Sequence, residues 1–136
     1  MTIKQLTIFL ENRTGRINEV AKILGAAGIN MKAFSMAETA DFGLLRLIVS
    51  DVDKAVQVLR DASFAVMLTD VVCICVPNVA GAMSGILETL ASNDIFIEYM
   101  YAFSEGDSAN VVIRPNNIDK CVSVLKSCNC TLLQTV

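Results

Sequence analysis

The strongest constraint on the fold is an internal repeat, because the second half of this 136-residue chain repeats the first at a constant offset of 66 positions. The matched residues are Ile8, Asn12, Gly15, Leu24 and Ile29, which recur as Ile74, Asn78, Gly81, Leu90 and Ile95. Residues 53–59 recur in the same register as residues 119–125. One register held without insertion is the signature of a duplicated module. The sequence therefore predicts two domains, at residues 1–70 and 71–136.

The first copy alternates the periodicities of strands and helices. Leu6, Ile8 and Leu10 alternate with Thr7 and Phe9, which predicts a first strand. Two helices are predicted to bury, in order, Ile17, Val20, Ala21 and Leu24, and then Val52, Ala55, Val56 and Leu59. Gly28 is predicted to end the first helix in the left-handed conformation, and Asp51 to cap the start of the second. The remaining strands are predicted at 30–38, 44–49 and 64–68, with turns at 12–15 and 39–43.

The second copy predicts the same succession of elements. Its strands are expected at 71–76, 95–103, 109–114 and 130–133, its helices near 82–92 and 117–127, and its hairpin turn at 104–107. The order βαββαβ is that of an α+β, ferredoxin-like module. No linker rich in Pro or Gly separates the copies, and Thr69-Asp70 is the only break between them. We therefore expect the two modules to pair side by side into one eight-stranded antiparallel sheet with the helices on one face.

Charge and hydropathy narrow the set of partners. The formal net charge is -3, which argues against binding to a nucleic acid backbone. The chain is 54% hydrophobic, yet no apolar run approaches the roughly 20 residues that span a bilayer. No signal sequence is recognisable at the start, so we expect a cytoplasmic protein. A surplus of apolar residues in so short a chain predicts burial between subunits, in a homodimer or larger oligomer.

The residue types needed for catalysis or metal binding are scarce. The chain has no His, the commonest general base and metal ligand, and no phosphate loop or nucleophile–base pair is recognisable. Acylphosphatase shares this fold and uses a loop Arg, but Arg13 is matched by Val79 in the second copy. The sequence therefore predicts a protein that is not an enzyme, with no catalytic residue, no cofactor and no metal.

Two further patterns allow alternative readings. The pairs Cys73-x-Cys75 and Cys128-x-Cys130 could supply four thiolates to a metal, but residues two apart in a strand are too widely spaced for one tetrahedral ion, so structural burial is favoured. Tyr99, Tyr101 and Phe103 alternate on one strand face, as in single-stranded RNA-binding sheets. The acidic charge and the lack of a basic aromatic motif favour packing instead.

The turn from the first strand to the first helix carries the ligand chemistry in each copy. Asn12 stands three residues before Gly15, and Asn78 three before Gly81, each pair just ahead of a helix. Unpaired N–H groups and the dipole at a helix start favour a carboxylate, and Gly lets it approach the backbone. An Asn side chain can both donate to a carboxylate and accept from an ammonium group. The loops fit the head group of a free amino acid, although an ordinary capped turn has the same residues.

These residues resemble a known family. Glu11-Asn12-Arg13-Thr14-Gly15, an apolar helix, and then Gly28-Ile29-Asn30-Met31 resemble an ACT domain, and the first copy is most similar to the serine-sensing regulatory domain of phosphoglycerate dehydrogenase. The resemblance covers the whole chain as two tandem copies and is weaker in the second. It implies a βαββαβ fold that binds an amino acid at the interface between two paired domains.

The resemblance also implies which side chains hold the ligand. In the relative, an Asn in the loop and an Asn opening the second strand of the neighbouring domain do so, and Asn12 and Asn30 match them. Asn78 matches the loop Asn in the second copy, but Phe96 stands at the position equivalent to Asn30. The candidate ligand-binding residues are Asn12, Arg13, Thr14, Gly15, Asn30, Met31, Asn78, Val79, Ala80 and Gly81.

The type of amino acid that this chain prefers is inferred from a position at which its sequence differs from that of the serine-sensing domain. The relative has a His two positions before the loop Asn, where this chain has Leu10 and Val76. This favours an apolar or aromatic amino acid over serine. ACT domains regulate enzymes of amino-acid metabolism, so the first hypothesis is an allosteric sensor that acts on a partner enzyme in trans. The alternative is an assembly or adaptor subunit that keeps the fold and binds no ligand.

Overall fold

The computed structural model describes residues 1–38 and 41–135. Within them the strands are β1 (Ile3–Glu11), β2 (Met31–Glu38), β3 (Phe42–Val49), β4 (Ala65–Pro77), β5 (Ile97–Glu105), β6 (Ser108–Pro115) and β7 (Thr131–Leu133). The helices are α1 (Arg16–Ala26), α2 (Val52–Asp61), α3 (Ala82–Ser92) and α4 (Ile118–Ser127). The predicted α+β class is confirmed. None of the helices described is long and apolar enough to cross a membrane.

The described residues divide into two compact units. The first is Lys4–Thr69, and the second is Asp70–Thr135 with Met1–Ile3. In the first unit β3 lies between β2 and β1, and both pairings are antiparallel. In the second unit the strand order is β7-β4-β6-β5, again antiparallel.

One face of the strands in each unit is buried under its two helices. In the first unit the alternating residues Leu6, Ile8 and Leu10 are at most 1% exposed and pack with residues of α1 and α2. The matching residues of the second unit, Val72, Ile74 and Val76, pack with residues of α3 and α4. Burying a side chain of this size stabilises a fold by about 1.5–3 kcal/mol. Each unit therefore has its own hydrophobic core.

The helix ends follow the residues at their boundaries. Asp51 and Asn117 cap α2 and α4, and each side chain accepts a hydrogen bond of 3.1 Å from the backbone N–H three residues later. The prediction of a cap at Asp51 is confirmed. Gly28 has φ +73, as predicted for a left-handed residue after α1. Ser63, Asp94 and Asn129 have positive φ after the other three helices, without being Gly.

Several predicted boundaries are wrong. The strands expected at 64–68 and 71–76 form one continuous strand, β4, so seven strands rather than eight are found among the described residues. Thr69 and Asp70 do not interrupt it, because neither residue forces a turn and the flanking residues are mostly strand formers. The turn expected at 39–43 falls partly outside the described residues, and Phe42 and Gly43 already belong to β3.

Two smaller predictions also fail. Ile17, expected in the core, is 45% exposed because it lies in the first turn of α1, whose buried residues are Val20 and Leu24. Ser104 and Glu105, expected in the hairpin turn, extend β5, and the turn narrows to Gly106 and Asp107. In both cases the spacing of apolar residues predicted the helix or strand correctly but not the residue at which its regular pattern begins or ends.

The glycines that precede the first helix of each repeat allow a matched test of how each residue affects the free energy of unfolding. Gly15 and Gly81 precede α1 and α3 with φ +92 and +84, a region that costs residues with a Cβ about 1–2 kcal/mol. Gly25 and Gly85 lie within the helices, where an added Cβ meets no heavy atom within 4 Å. We expect Gly15→Ala and Gly81→Ala to lower the free energy of unfolding by that amount.

Gly25→Ala and Gly85→Ala are the controls and should raise the free energy of unfolding by about 0.5–1 kcal/mol, since Ala loses less entropy in a helix. Urea unfolding followed by circular dichroism measures all four variants. Equal effects at the two kinds of position would contradict the left-handed helix starts.

Candidate functional site

In each repeat, the loop that runs from the Asn to the Gly three residues later leads into the first helix in the same way. Because Gly15 and Gly81 occupy the cap positions of α1 and α3, neither position offers a side chain to the helix N–H groups. The second helix of each repeat differs, since Asp51 and Asn117 cap it with a side-chain oxygen. An uncapped helix start presents backbone donors and the positive end of its dipole. This arrangement suits a bound carboxylate.

Charged side chains surround the loop of the first repeat. Nε of Arg13 lies 3.3 Å from Oε2 of Glu11, and its Nη2 lies 3.8 Å from Oε1 of Glu19. Arg16 pairs with both carboxylates, and its guanidinium lies 4.3 Å from the ring centroid of Phe64. The guanidinium groups are therefore already partnered by carboxylates of the same unit.

The loop of the second repeat has lost every one of these charges. The positions equivalent to Glu11, Arg13, Arg16 and Glu19 are Pro77, Val79, Ala82 and Gly85. The backbone N–H of Asn78 donates to the carbonyl oxygen of Asp107 at 3.0 Å, which anchors the loop to the β5–β6 turn. Val79 is 66% exposed. Residues 77–81 of the second loop are thus uncharged and present one amide side chain beside the exposed, apolar Val79.

Asn30 and Phe96 occupy equivalent places just before β2 and β5. The backbone N–H of Asn30 donates to the Ser50 hydroxyl at 2.9 Å, and its carbonyl accepts from the Ser50 N–H at 3.0 Å. Phe96 makes the same pair of bonds with Asn116, at 3.0 and 2.9 Å. The backbone is held identically in both repeats, so the difference lies in the side chain. Both side chains are exposed, one an amide and the other apolar.

Within one unit the loop and the second-strand start lie at opposite ends of the same strand. Glu11, just before the first loop, pairs with Phe42 at the start of β3, whereas Met31, just after Asn30, pairs with Val49 at its end. Seven residues of antiparallel strand separate these two pairings, which is about 24 Å. An amino acid is far smaller, so one unit cannot bring Asn12 and Asn30 together on one ligand.

The second unit has the same geometry. Pro77, before the second loop, pairs with Ser108, whereas Ile97, after Phe96, pairs with Pro115. The separation along β6 is again seven residues, or about 24 Å.

The two positions from which ligand preference was inferred point away from the loops. Leu10 is 1% exposed and Val76 is 4% exposed, and each belongs to the core of its own unit. Met31, one of the candidate ligand residues, also packs against the first core. The departure from His at these positions therefore says little about the ligand. The exposed residues of the loops themselves are the better indicator.

The structure thus groups the candidate residues into three sets. Asn12, Arg13, Thr14 and Gly15 form the first loop, Asn78, Val79, Ala80 and Gly81 form the second, and Asn30 and Met31 lie at the start of β2. Sequence reasoning missed Glu11 and Glu19 as ion-pair partners of Arg13 and Arg16. The spacing of Arg16 and Glu19 by three residues in a helix is the signal that could have revealed them.

The cysteines do not form a metal site in the part of the chain that the structure describes, where no group of three or more potential ligands occurs. The prediction of structural burial is confirmed for Cys73. It is wrong for Cys128, which is exposed and lies at the end of α4 rather than in a strand. Burial, and to a lesser extent Cys75, raises the pKa of Cys73 to about 12. Burial also raises the pKa of Cys121 to about 11. These two thiols are therefore protonated at neutral pH.

The aromatic residues of β5 alternate as predicted. Tyr99, Tyr101 and Phe103 are half-buried, while Met100 and Ala102 between them are exposed. In the register with β6, Tyr101 lies opposite Val112 and Phe103 opposite Asn110. The aromatic rings are therefore partly packed, which differs from an open platform for stacking bases.

Comparisons with known proteins agree with this geometry. The model of the ACT domain pair family matches residues 1–134. The crystal structure of a protein from Bacteroides thetaiotaomicron is 54% identical, with 98% of this chain and 92% of that chain covered and a TM-score of 0.94. A search among curated proteins found no match.

More distant structures share the fold. The regulatory subunit of aspartate kinase from Thermus thermophilus is 14% identical with a TM-score of 0.67, over 91% of both chains. The corresponding subunit from Thermus flavus is also 14% identical, with a TM-score of 0.65 over 91% of this chain and 88% of that one. The repeated fold, the paired loops and the family match lead to one conclusion: this chain belongs to the family of ACT domain pairs.

Proposed function

We propose that this protein is an allosteric sensor that binds a free amino acid between paired ACT domains and controls an enzyme of amino-acid metabolism in trans. The ACT domains are assigned to residues 1–70 and 71–136, the compartment is the cytoplasm, and the chain itself is not a catalyst. The observation that carries the proposal is the separation of about 24 Å between a loop and the second-strand start of its own unit. A ligand held by both features requires two ACT domains, from one chain or from two.

The chemistry of the loops supports an amino acid as the ligand. The helix start after Gly81 offers backbone N–H groups to a carboxylate, and the Asn78 side chain can accept from an ammonium group. Residues 79 and 80 of this loop and residue 31 beside Asn30 would complete the contacts at this site, whereas residues 12 to 15 would line the site of the other loop. An uncharged residue, Val79, stands at the position equivalent to Arg13, so this loop carries no net charge of its own. A zwitterion, which is also neutral overall, therefore meets no unbalanced charge within the loop.

The two sites are unequal under this proposal. When the repeats pair within a chain, the Asn78 loop faces Asn30, and two amide side chains surround one zwitterion. The Asn12 loop then faces Phe96, which has no polar group. In the first loop Glu11 and Glu19 already engage the guanidinium groups of Arg13 and Arg16, so neither guanidinium is available to a ligand carboxylate. The exposed Val79 favours an apolar or aromatic amino acid over serine.

The proposed partner is a separate enzyme. In Thermus thermophilus and Thermus flavus, proteins of the same fold are regulatory subunits of aspartate kinase. A chain of similar extent can therefore serve as a regulatory subunit, which supports action in trans. The identity of the enzyme is not implied by this likeness.

The site assignment is tested by titrating free amino acids into the full chain by calorimetry. Losing one hydrogen bond to a charged ligand group costs about 1.5–3 kcal/mol, or roughly 10- to 150-fold in affinity. We expect Asn30→Ala and Asn78→Ala each to weaken binding by that factor, while Asn12→Ala has a smaller effect. If the first repeat instead pairs with the first repeat of another chain, Asn12→Ala becomes as damaging as Asn30→Ala, and Asn78→Ala becomes mild.

Two further variants control this experiment. Gln57→Ala removes an exposed amide from α2 and should leave the affinity unchanged. Phe96→Asn restores an amide at an exposed position and should strengthen the weaker site. Unchanged affinity in all three Asn variants would overturn the site assignment. Absence of binding by every free amino acid would favour the assembly or adaptor role.

We also propose that the protein is a homodimer or a larger homo-oligomer. Large apolar side chains are exposed on both units, including Phe34 at 64% and Phe96 at 67%. Such exposure is costly in water and is typical of surfaces that are covered by a partner. Neither nucleic acid nor a membrane is expected as a partner.

Light scattering coupled to size exclusion tests the oligomeric state. An obligate interface buries about 2,000 Å² or more, so we expect a dimer to persist at micromolar concentration. Phe34→Ser and Phe96→Ser should shift the population toward the monomer if their side chains are covered, while Gln57→Ser should not. A wild-type mass of 14.7 kDa, that of one chain, would contradict the proposal.

A further inference from the structure

Cys128 and Cys130 form a close pair of thiols in the turn between α4 and β7. Their Sγ atoms lie 2.8 Å apart, and Cys128 Sγ also donates to the carbonyl oxygen of Leu125 at 3.3 Å. Asn129 between them has φ +58, and this left-handed residue turns the chain so that both side chains lie on one side. A disulfide bond is about 2.05 Å long, so the two sulfurs need to approach by less than about 1 Å to form one.

The chain contains a second Cys-x-Cys pair with a different geometry. Cys73 and Cys75 lie in the extended strand β4, opposite Leu133 and Thr131 of β7. Residues two apart in a strand have Cα atoms about 6.8 Å apart, which is the upper end of the range that disulfides span. Cys73 is fully buried as well. Only the turn pair combines proximity with access to solvent, because Cys128 is exposed.

We propose that Cys128 and Cys130 are a redox modification site that reacts with low-molecular-weight disulfides, such as oxidised glutathione, to form an intrachain disulfide. Cys128 loses its proton and attacks one sulfur of the small disulfide, breaking that S–S bond and releasing one thiol. Cys130 then loses its proton and attacks Cys128 Sγ, forming the protein disulfide and releasing the second thiol. The protein dithiol loses two electrons and two protons, and the small disulfide gains them.

The surroundings of the two sulfurs determine the order of attack. Cys128 is exposed and can meet a soluble disulfide first, whereas Cys130 is half-buried against the second core. Burial is the largest of the causes that raise the pKa of Cys130 to about 11, and it remains after Cys128 has become a mixed disulfide, whereas the smaller effects of the hydrogen bond and charge of Cys128 are then lost. The thiolate is the attacking species, so the second step should be slow at neutral pH and quicken as pH rises.

The experiment uses the full chain, reduced and freed of reductant, and oxidised glutathione as the probe. After timed alkylation of the remaining thiols, peptide mass spectrometry locates the modified cysteines. We expect a disulfide between Cys128 and Cys130 and free thiols at Cys73, Cys75 and Cys121. The rate of ring closure should rise with pH between pH 7 and 9, because burial raises the pKa of Cys130 and the thiolate fraction grows over this range.

Three variants distinguish the proposal from general thiol oxidation. Cys130→Ser should stop at a mixed disulfide of Cys128 with one glutathione, and Cys128→Ser should remain largely unmodified. Cys75→Ser, altered in the strand pair, should form the disulfide as fast as the wild type. Circular dichroism recorded alongside confirms that the reacting protein is folded. Formation of no intrachain disulfide by the folded chain, or oxidation of Cys73 with Cys75 instead, would overturn the proposal.

Discussion

Burial of one strand face under two helices is the constraint on which each half of this protein depends. Leu6, Ile8 and Leu10 in β1, and Val72, Ile74 and Val76 in β4, alternate with residues of the opposite face, so a shift of one residue would move every one of them out of its hydrophobic core. This alternation fixes the register of the strands. The register in turn determines where each loop and each strand start is placed.

The position of the candidate site follows from that register. The loop after the first strand and the start of the second strand are held at opposite ends of β3 in the first unit and of β6 in the second. Hydrogen bonds from the backbone N–H groups of Asn30 and Phe96 to the side chains of Ser50 and Asn116 hold the two strand starts alike. The repeats thus share a backbone and differ in the side chains displayed, which is how a duplicated module can keep one strong site and lose another.

The sequence predicted the elements well where a single periodicity dominates. The 66-residue offset aligned Asn30 with Phe96, and the backbone hydrogen bonds of these residues are indeed equivalent. Prediction from the sequence failed where the pattern is ambiguous. Thr69 and Asp70 are compatible both with a break between two strands, which was predicted, and with the continuous strand that is found. Side-chain direction was the second failure. Leu10 and Val76 are close to the loops in sequence, but alternation along their strands directs both into the cores.

The central claim is that an amino acid is held by a loop of one ACT domain and the second-strand start of another. The most direct measurement is a titration of free amino acids into the isotope-labelled full chain, followed by backbone amide NMR. The account predicts saturable shifts at Asn78 to Met83 together with Asn30, residues that lie in different ACT domains. Shifts at a loop without any shift at a second-strand start, or no saturable shift with any free amino acid, would contradict it.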